Sequence, residues 1–232
     1  MEFGENGVVI SDTSESMTPE KGYSDGPRPA MGLYRAMRLS LFAFILAQLA
    51  YLATTFVLQV GPLSRWGETV LLIVNPDILV AASALFYLLV LFIAFFCSGR
   101  FIYRSMRNLH SIGSPEVKIS PGWSVGFYFI PIMNLFKPAI AMSEIYHGSH
   151  QAVGEASRHK SPIPYWWTCW LFMDAPEFVA DRAGLTGLDA FALYALTTTL
   201  GIAAAVFLIR MGHRIAVRQE RLQRSGAALI VD

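Results

Sequence analysis

Three stretches of this chain run for twenty or more residues without a charge: 39–64 between Arg38 and Arg65, 78–99 between Asp77 and Arg100, and 190–209 between Asp189 and Arg210. An α-helix needs about 20 apolar residues to cross a hydrocarbon core about 30 Å thick. Within lipid only helices and closed barrels satisfy every backbone N–H and C=O. The runs therefore predict an all-α integral membrane protein. Composition agrees: 54% of the residues are hydrophobic and 15% charged, against about 45–50% and about 25% in soluble domains. The formal net charge of +1 gives no reason to expect a nucleic-acid partner. The two cysteines, Cys97 and Cys169, each sit inside an apolar run. Neither has metal-ligand spacing, and both read as small buried hydrophobes.

Two further segments are less regular. Residues 161–173 are uncharged but span only about 20 Å as a helix. They cross if the helix continues past Asp174 to about Val179, with Asp174 and Glu177 at the far headgroups. Trp166, Trp167 and Trp170 then form an interface belt at the near end. Residues 122–146 are also apolar, yet they carry Pro131, Asn134, Lys137 and Pro138, which a plain spanning helix avoids.

The positive charges decide between the two topologies. Cytoplasmic loops carry the excess of Lys and Arg. If 122–146 crosses, giving five spans, the two sides hold 9 and 8 basic residues. If it enters and returns on one side, giving four spans, they hold 15 and 2, with Lys137 left out of both counts. The second arrangement obeys the rule. The chain is thus expected to have spans at about 39–62, 78–99, 163–180 and 189–210, with a proline-broken re-entrant or interfacial segment at about 122–146. Both termini face the cytoplasm, and the whole of 31–224 forms one helical membrane domain. Residues 1–30, rich in Gly, Ser, Glu, Asp and Pro, bury too little apolar surface to fold alone. They read as a disordered tail and not as a signal peptide. Trp66 and residues 69–74 suggest a short interfacial element, and 225–232 a short C-terminal tail.

Local chemistry supports the broken segment. Each proline lacks an N–H and frees the carbonyl four residues earlier: Phe127 for Pro131, Asn134 for Pro138. Asn134 is expected to pair such a carbonyl. Arg104 and Asn108, at i and i+4 on one helix face, are placed to donate to the others. With Lys137 these form a polar cluster, read either as a structural pin or as a pocket for an anion or lipid headgroup. Glu144, His147 and His150 are spaced i, i+3, i+6 and make at most a weak partial metal site, with Glu155 or His159 nearby. The expectation is no metal and no cofactor. Arginines 210, 214, 218, 221 and 224 continue the last span as a basic stripe. Thr197, Thr198, Thr199, Gly201 and 203–205 are small residues suited to close helix packing.

The run Arg104-Ser-Met-Arg-Asn108, then Pro121-Gly-Trp123, then Pro131-Ile-Met-Asn134-Leu-Phe-Lys137-Pro138, then Met142-Ser-Glu144-Ile-Tyr, then Trp166-Trp167 resembles bacterial membrane proteins grouped as domain of unknown function 4328 (DUF4328). The resemblance covers about residues 35–220 and is most specific in the Pro-x-Trp…Pro-x-x-Asn-x-x-Lys-Pro block. It implies a multi-pass protein of the bacterial inner membrane and makes Trp123 and Glu144 part of the polar cluster. It implies no activity. His147 and His150 depart from the family pattern, so a role for them would be peculiar to this chain.

No nucleophile is paired with a base, and no phosphate-cradling loop or nucleotide fingerprint occurs. The spans are nearly free of charge. A non-enzymatic regulatory, sensing or assembly component therefore fits best, with membrane lipids and a membrane protein or second copy as partners. The alternative is a small oligomeric transporter or channel that uses the broken segment as its selectivity element.

Overall fold

The computed structural model describes residues 26–60, 75–155 and 161–228. Most of the N-terminal tail, the element expected at Trp66 and 69–74, His159 and the last four residues lie outside that set. Eight α-helices follow in chain order among the described residues: α1 Met31–Gln59, α2 Pro76–Ser111, α3 Pro121–Gly126, α4 Pro131–Asn134, α5 Lys137–Gln151, α6 Ile163–Phe172, α7 Ala175–Arg182 and α8 Gly187–Ala228. A 3₁₀ turn, Phe127–Phe129, joins α3 to α4.

Three helices, α1, α2 and α8, are long and apolar enough to cross a membrane. They pack antiparallel to α1 in one direction: Tyr34 meets Phe101 and His213 near one end, and Phe44 and Phe56 meet Tyr87 and Phe191 further along. Part of the expected small-residue stripe of α8 is buried, with Gly201 against α1, while Thr199 is exposed. Thr197, Thr198, Gly201, Ala204 and Ala205 are all buried, and a methyl group added at Gly201 would meet the side chain of Gln48. Cys97 and Cys169 are free thiols, and both are half-buried where full burial is expected.

The region expected to form a span at 163–180 is two short helices. Proline lies in the first turn of each, Pro164 in α6 and Pro176 in α7. The prolines start these helices, since their missing N–H is one that a helix start leaves free. Together the pair lies along α8 in the opposite sense. Tyr165 stacks on Phe207, the Glu177 N–H donates to Thr197 Oγ1, and the Tyr194 hydroxyl donates to Asp181. Tyr51 on α1 donates to the Glu177 carboxylate at 2.6 Å. Asp174, Glu177, Asp181 and Asp189 thus collect at one end of the bundle, and the arginines of α2 and α8 at the other.

At the basic end the helices overrun the apolar runs. α2 continues from Arg100 to Ser111 and α8 from Arg210 to Ala228. α5 packs against both extensions. α2 stops in a left-handed cap, with Gly113 at φ 64°, the Gly113 N–H donating to the His110 carbonyl and the Ser114 N–H to the Leu109 carbonyl. α5 stops the same way at Gly154, φ 70°, with the Glu155 N–H donating to the His150 carbonyl. A residue with a Cβ is strained at either position.

Candidate functional site

The polar residues expected to matter all lie at the basic end, but they fall into three separate arrangements. The first is the broken segment. α3, α4 and α5 each carry proline in the first turn, Pro121, Pro131 and Pro138. The segment therefore folds as a series of one- to four-turn starts and not as one kinked helix. The carbonyl of Phe127, freed by Pro131, accepts from the Ile130 N–H in the 3₁₀ turn. The Asn134 N–H donates to the Ile130 carbonyl at 2.7 Å.

Trp167 of α6 pins the tip, its indole N–H donating to the Leu135 carbonyl at 2.9 Å. Tyr128 packs edge-on between Phe95 and Trp167. Trp123 stacks on Phe127, and the Lys137 ammonium sits 5.7 Å above the Phe127 ring, a cation–π contact. Phe129, Ile132, Leu135 and Phe136 are exposed.

The expected donors play no part here. The side-chain oxygen of Asn134 is buried without a hydrogen-bond partner among the described residues, and Asn108 turns elsewhere. Sequence reading missed Trp167 as the pin. The local 3₁₀ turn, which satisfies the Phe127 carbonyl without an outside donor, leaves no mark in residue spacing.

The second arrangement is a buried amide network. Asn108 accepts from the Arg28 N–H and donates to the Arg28 carbonyl, 3.0 and 2.9 Å, which ties the chain before α1 to α2. Its amide also donates to Gln219 Oε1 at 2.9 Å. Gln219, 2% exposed, donates in turn to the Ser105 carbonyl and to Ser149 Oγ. One glutamine on α8 thereby joins α2 and α5. Gln219 and Ser149 were not among the sequence candidates. Lone polar residues on helices look like surface positions until the partners, 111 and 70 residues away, are placed.

Around this network the remaining candidates are structural. The Glu144 carboxylate accepts the backbone N–H groups of Lys118 and Ile119, 3.0 and 2.9 Å, and so fixes the loop after α2. His147 packs edge-on to Tyr146. His150 has Nδ1 2.6 Å from the Tyr146 carbonyl. Burial pushes its imidazole below the ordinary value, against the pull of that hydrogen bond, and Arg218 adds to the lowering. Arg218 and Arg221 clamp Glu155 at 2.7 and 2.9 Å. The Arg218 hydrogen bond holds the Glu155 carboxyl below its ordinary value. Arg214 donates to the Tyr146 hydroxyl. The Glu144 carboxylate is thus taken up by the loop and His150 Nδ1 by the Tyr146 carbonyl. No group of three potential metal ligands comes together among the described residues.

The third arrangement is a cavity of about 760 Å³ between α1, α2, the 3₁₀ turn, α6 and α8. Its walls are mostly apolar, with Phe95, Tyr128, Phe129, Trp166, Trp170 and Leu208 among them, and Arg100 and Arg104 also line it. Arg104 therefore belongs to this cavity, apart from the Asn108 network one turn away.

Three long apolar helices around a hydrogen-bonded basic end define a helical membrane protein. The profile of the family described as Domain of unknown function (DUF4328) matches residues 73–216, well over half of the chain, and the chain belongs to that family. No curated protein and no solved structure matches it.

Proposed function

We propose that this protein is a non-enzymatic regulatory or assembly component of the bacterial inner membrane, presenting a rigid cytoplasmic body to a partner. The observation that carries this reading is the basic end. There α2 and α8 overrun their apolar runs by 12 and 19 residues, about 18 and 28 Å of helix. α5, Arg28 and the Gln219 network lock these extensions together. Such a body projects past the headgroups as one piece.

In this reading α6 and α7 together make a fourth, broken crossing. Their pairing with α8 from Phe207 to Tyr194 and the acidic residues at the far end support it. The segment 121–137 dips in from the cytoplasmic side and returns. Its contacts with α2, between Phe95 and Gly99, support that depth. Both termini are then cytoplasmic.

Single cysteines test the orientation. In a chain lacking Cys97 and Cys169, an impermeant thiol reagent applied to intact cells is expected to label Thr186→Cys. It is expected to spare Ser120→Cys and Gln151→Cys. Labelling at Gln151 would place α5 on the other side and sink the reading. A photo-crosslinker at Gln151 or Arg221 is expected to yield a discrete heavier adduct in native membranes, and one at Thr186 none.

A transport reading has one observation in its favour. Gln48 Nε2 and Thr198 Oγ1 are buried in the middle of the bundle with no hydrogen-bond partner among the described residues. Ion or solute flux through liposomes holding the purified chain, lost in Gln48→Leu, would establish it over the first reading.

A further inference from the structure

We propose that the cavity beside Arg104 binds one anionic phospholipid, with an acyl chain between α2 and α6 and the headgroup phosphate on Arg104 and Arg100. The cavity volume, about 760 Å³, lies within the about 300–1,000 Å³ of ordinary ligand sites, and its make-up, apolar walls with a few convergent polar groups, is theirs too.

The polarity is graded along one line. Phe92, Phe96, Arg100 and Arg104 follow each other at four-residue steps of α2, and all four line the cavity. A helix sets such residues one above another. The line therefore runs from hydrocarbon depth to headgroup depth as a lipid does. Phe92, Phe96 and Phe129 are strongly exposed, the last at 80%, so the mouth opens sideways where acyl chains lie.

The guanidinium side suits an anion. Arg104 Nε is buried without a hydrogen-bond partner among the described residues, and leaving a buried donor unpaired is costly, while the side chain as a whole is half-buried. Arginine offers a planar fork that matches phosphate. Arg100 stands one turn away over the Phe96 ring, its charge open to the same phosphate. A soluble anion would satisfy the arginines and leave the aromatic walls bare. A neutral apolar ligand would do the reverse. An anionic lipid meets both.

The inference rests on the membrane reading above but not on which side the basic end faces, so cysteine labelling and the lipid experiment fail independently. The full-length protein is purified in neutral detergent. Its melting is followed with added phosphatidylglycerol, phosphatidylcholine of the same chains, or inorganic phosphate, and native mass spectrometry counts the lipids retained. Phosphatidylglycerol is expected to stabilise and to remain bound at one per chain, and the other two to do neither. Arg104→Gln, and more weakly Arg100→Gln, are expected to lower phosphatidylglycerol retention, by about tenfold for Arg104. Arg224→Gln, outside the cavity and paired with Glu220, keeps it.

Equal effects of the two lipids would overturn the proposal in favour of ordinary annular lipid. A shift with inorganic phosphate alone would make the site one for a soluble anion. The wild-type lipid comparison decides the matter even if the Arg104 variant does not fold.

Discussion

The two halves of α2 obey opposite rules although they are one unbroken helix. Before Arg100, large apolar side chains face outward: Leu85 is 68% exposed and Phe92 70%. After it, Phe101, Met106 and Leu109 are fully buried, and so is Ser105. In water the first half would be a severe liability. In lipid it costs nothing, because the solvent is as apolar as the side chain, and packing alone holds the helices together. The second half is built more as soluble proteins are, with its apolar groups inside and Asn108, His110 and Ser111 hydrogen-bonded, although Ser105 Oγ and Arg104 Nε have no partner among the described residues. The change of solvent is thus written into a single helix at Arg100.

That contrast can be broken by the same substitution made twice. Leu109→Ala removes a fully buried side chain and is expected to destabilise the purified protein by about 2–5 kcal/mol. Thermal melting in detergent should show a fall of at least about 5 °C. Next in size is Gln219→Leu, which takes one hydrogen-bond partner each from the Asn108 amide, the Ser105 carbonyl and the Ser149 hydroxyl, while Asn108 keeps its two bonds to Arg28. A buried group left short of a partner costs about 1–3 kcal/mol, but relaxation and water entry at this end recover part of it, so about 2–3 kcal/mol in all is expected. Hydrogen exchange should show the added loss of protection in α5 and the end of α2, and not in α1 beyond Gln48. The smallest effect belongs to Leu89→Ala, 60% exposed on the first half of α2. Its melting temperature is expected within about 2 °C of the parent. A Leu89 variant as damaged as the Leu109 variant would mean that this face packs against protein and not lipid.

Much of the fold is legible in the chain. The charge-free runs mark the three long helices, because lipid imposes a length and forbids charge. The prolines mark the breaks at 121–138 and 163–176. Their local meaning is hidden, since a proline that ends one helix and a proline that begins the next look alike in sequence. The candidate site is legible only in outline. Arg104, Asn108, Asn134 and Glu144 are polar residues in an apolar chain and stand out for that reason alone. Sorting them required long-range partners: Gln219 for Asn108, the loop N–H groups for Glu144, a cavity wall for Arg104. Asn134 was matched to a carbonyl that a three-residue turn had already satisfied.

α8 carries a last consequence. It runs 42 residues without a proline, about 63 Å, or roughly twice the hydrocarbon thickness. At one end it holds Tyr194 against Asp181, at the other Gln219 against Asn108. Such a rod is a lever. A tilt imposed on the acidic end is expected to reach the arginines beyond residue 210, because no proline interrupts the helix between them.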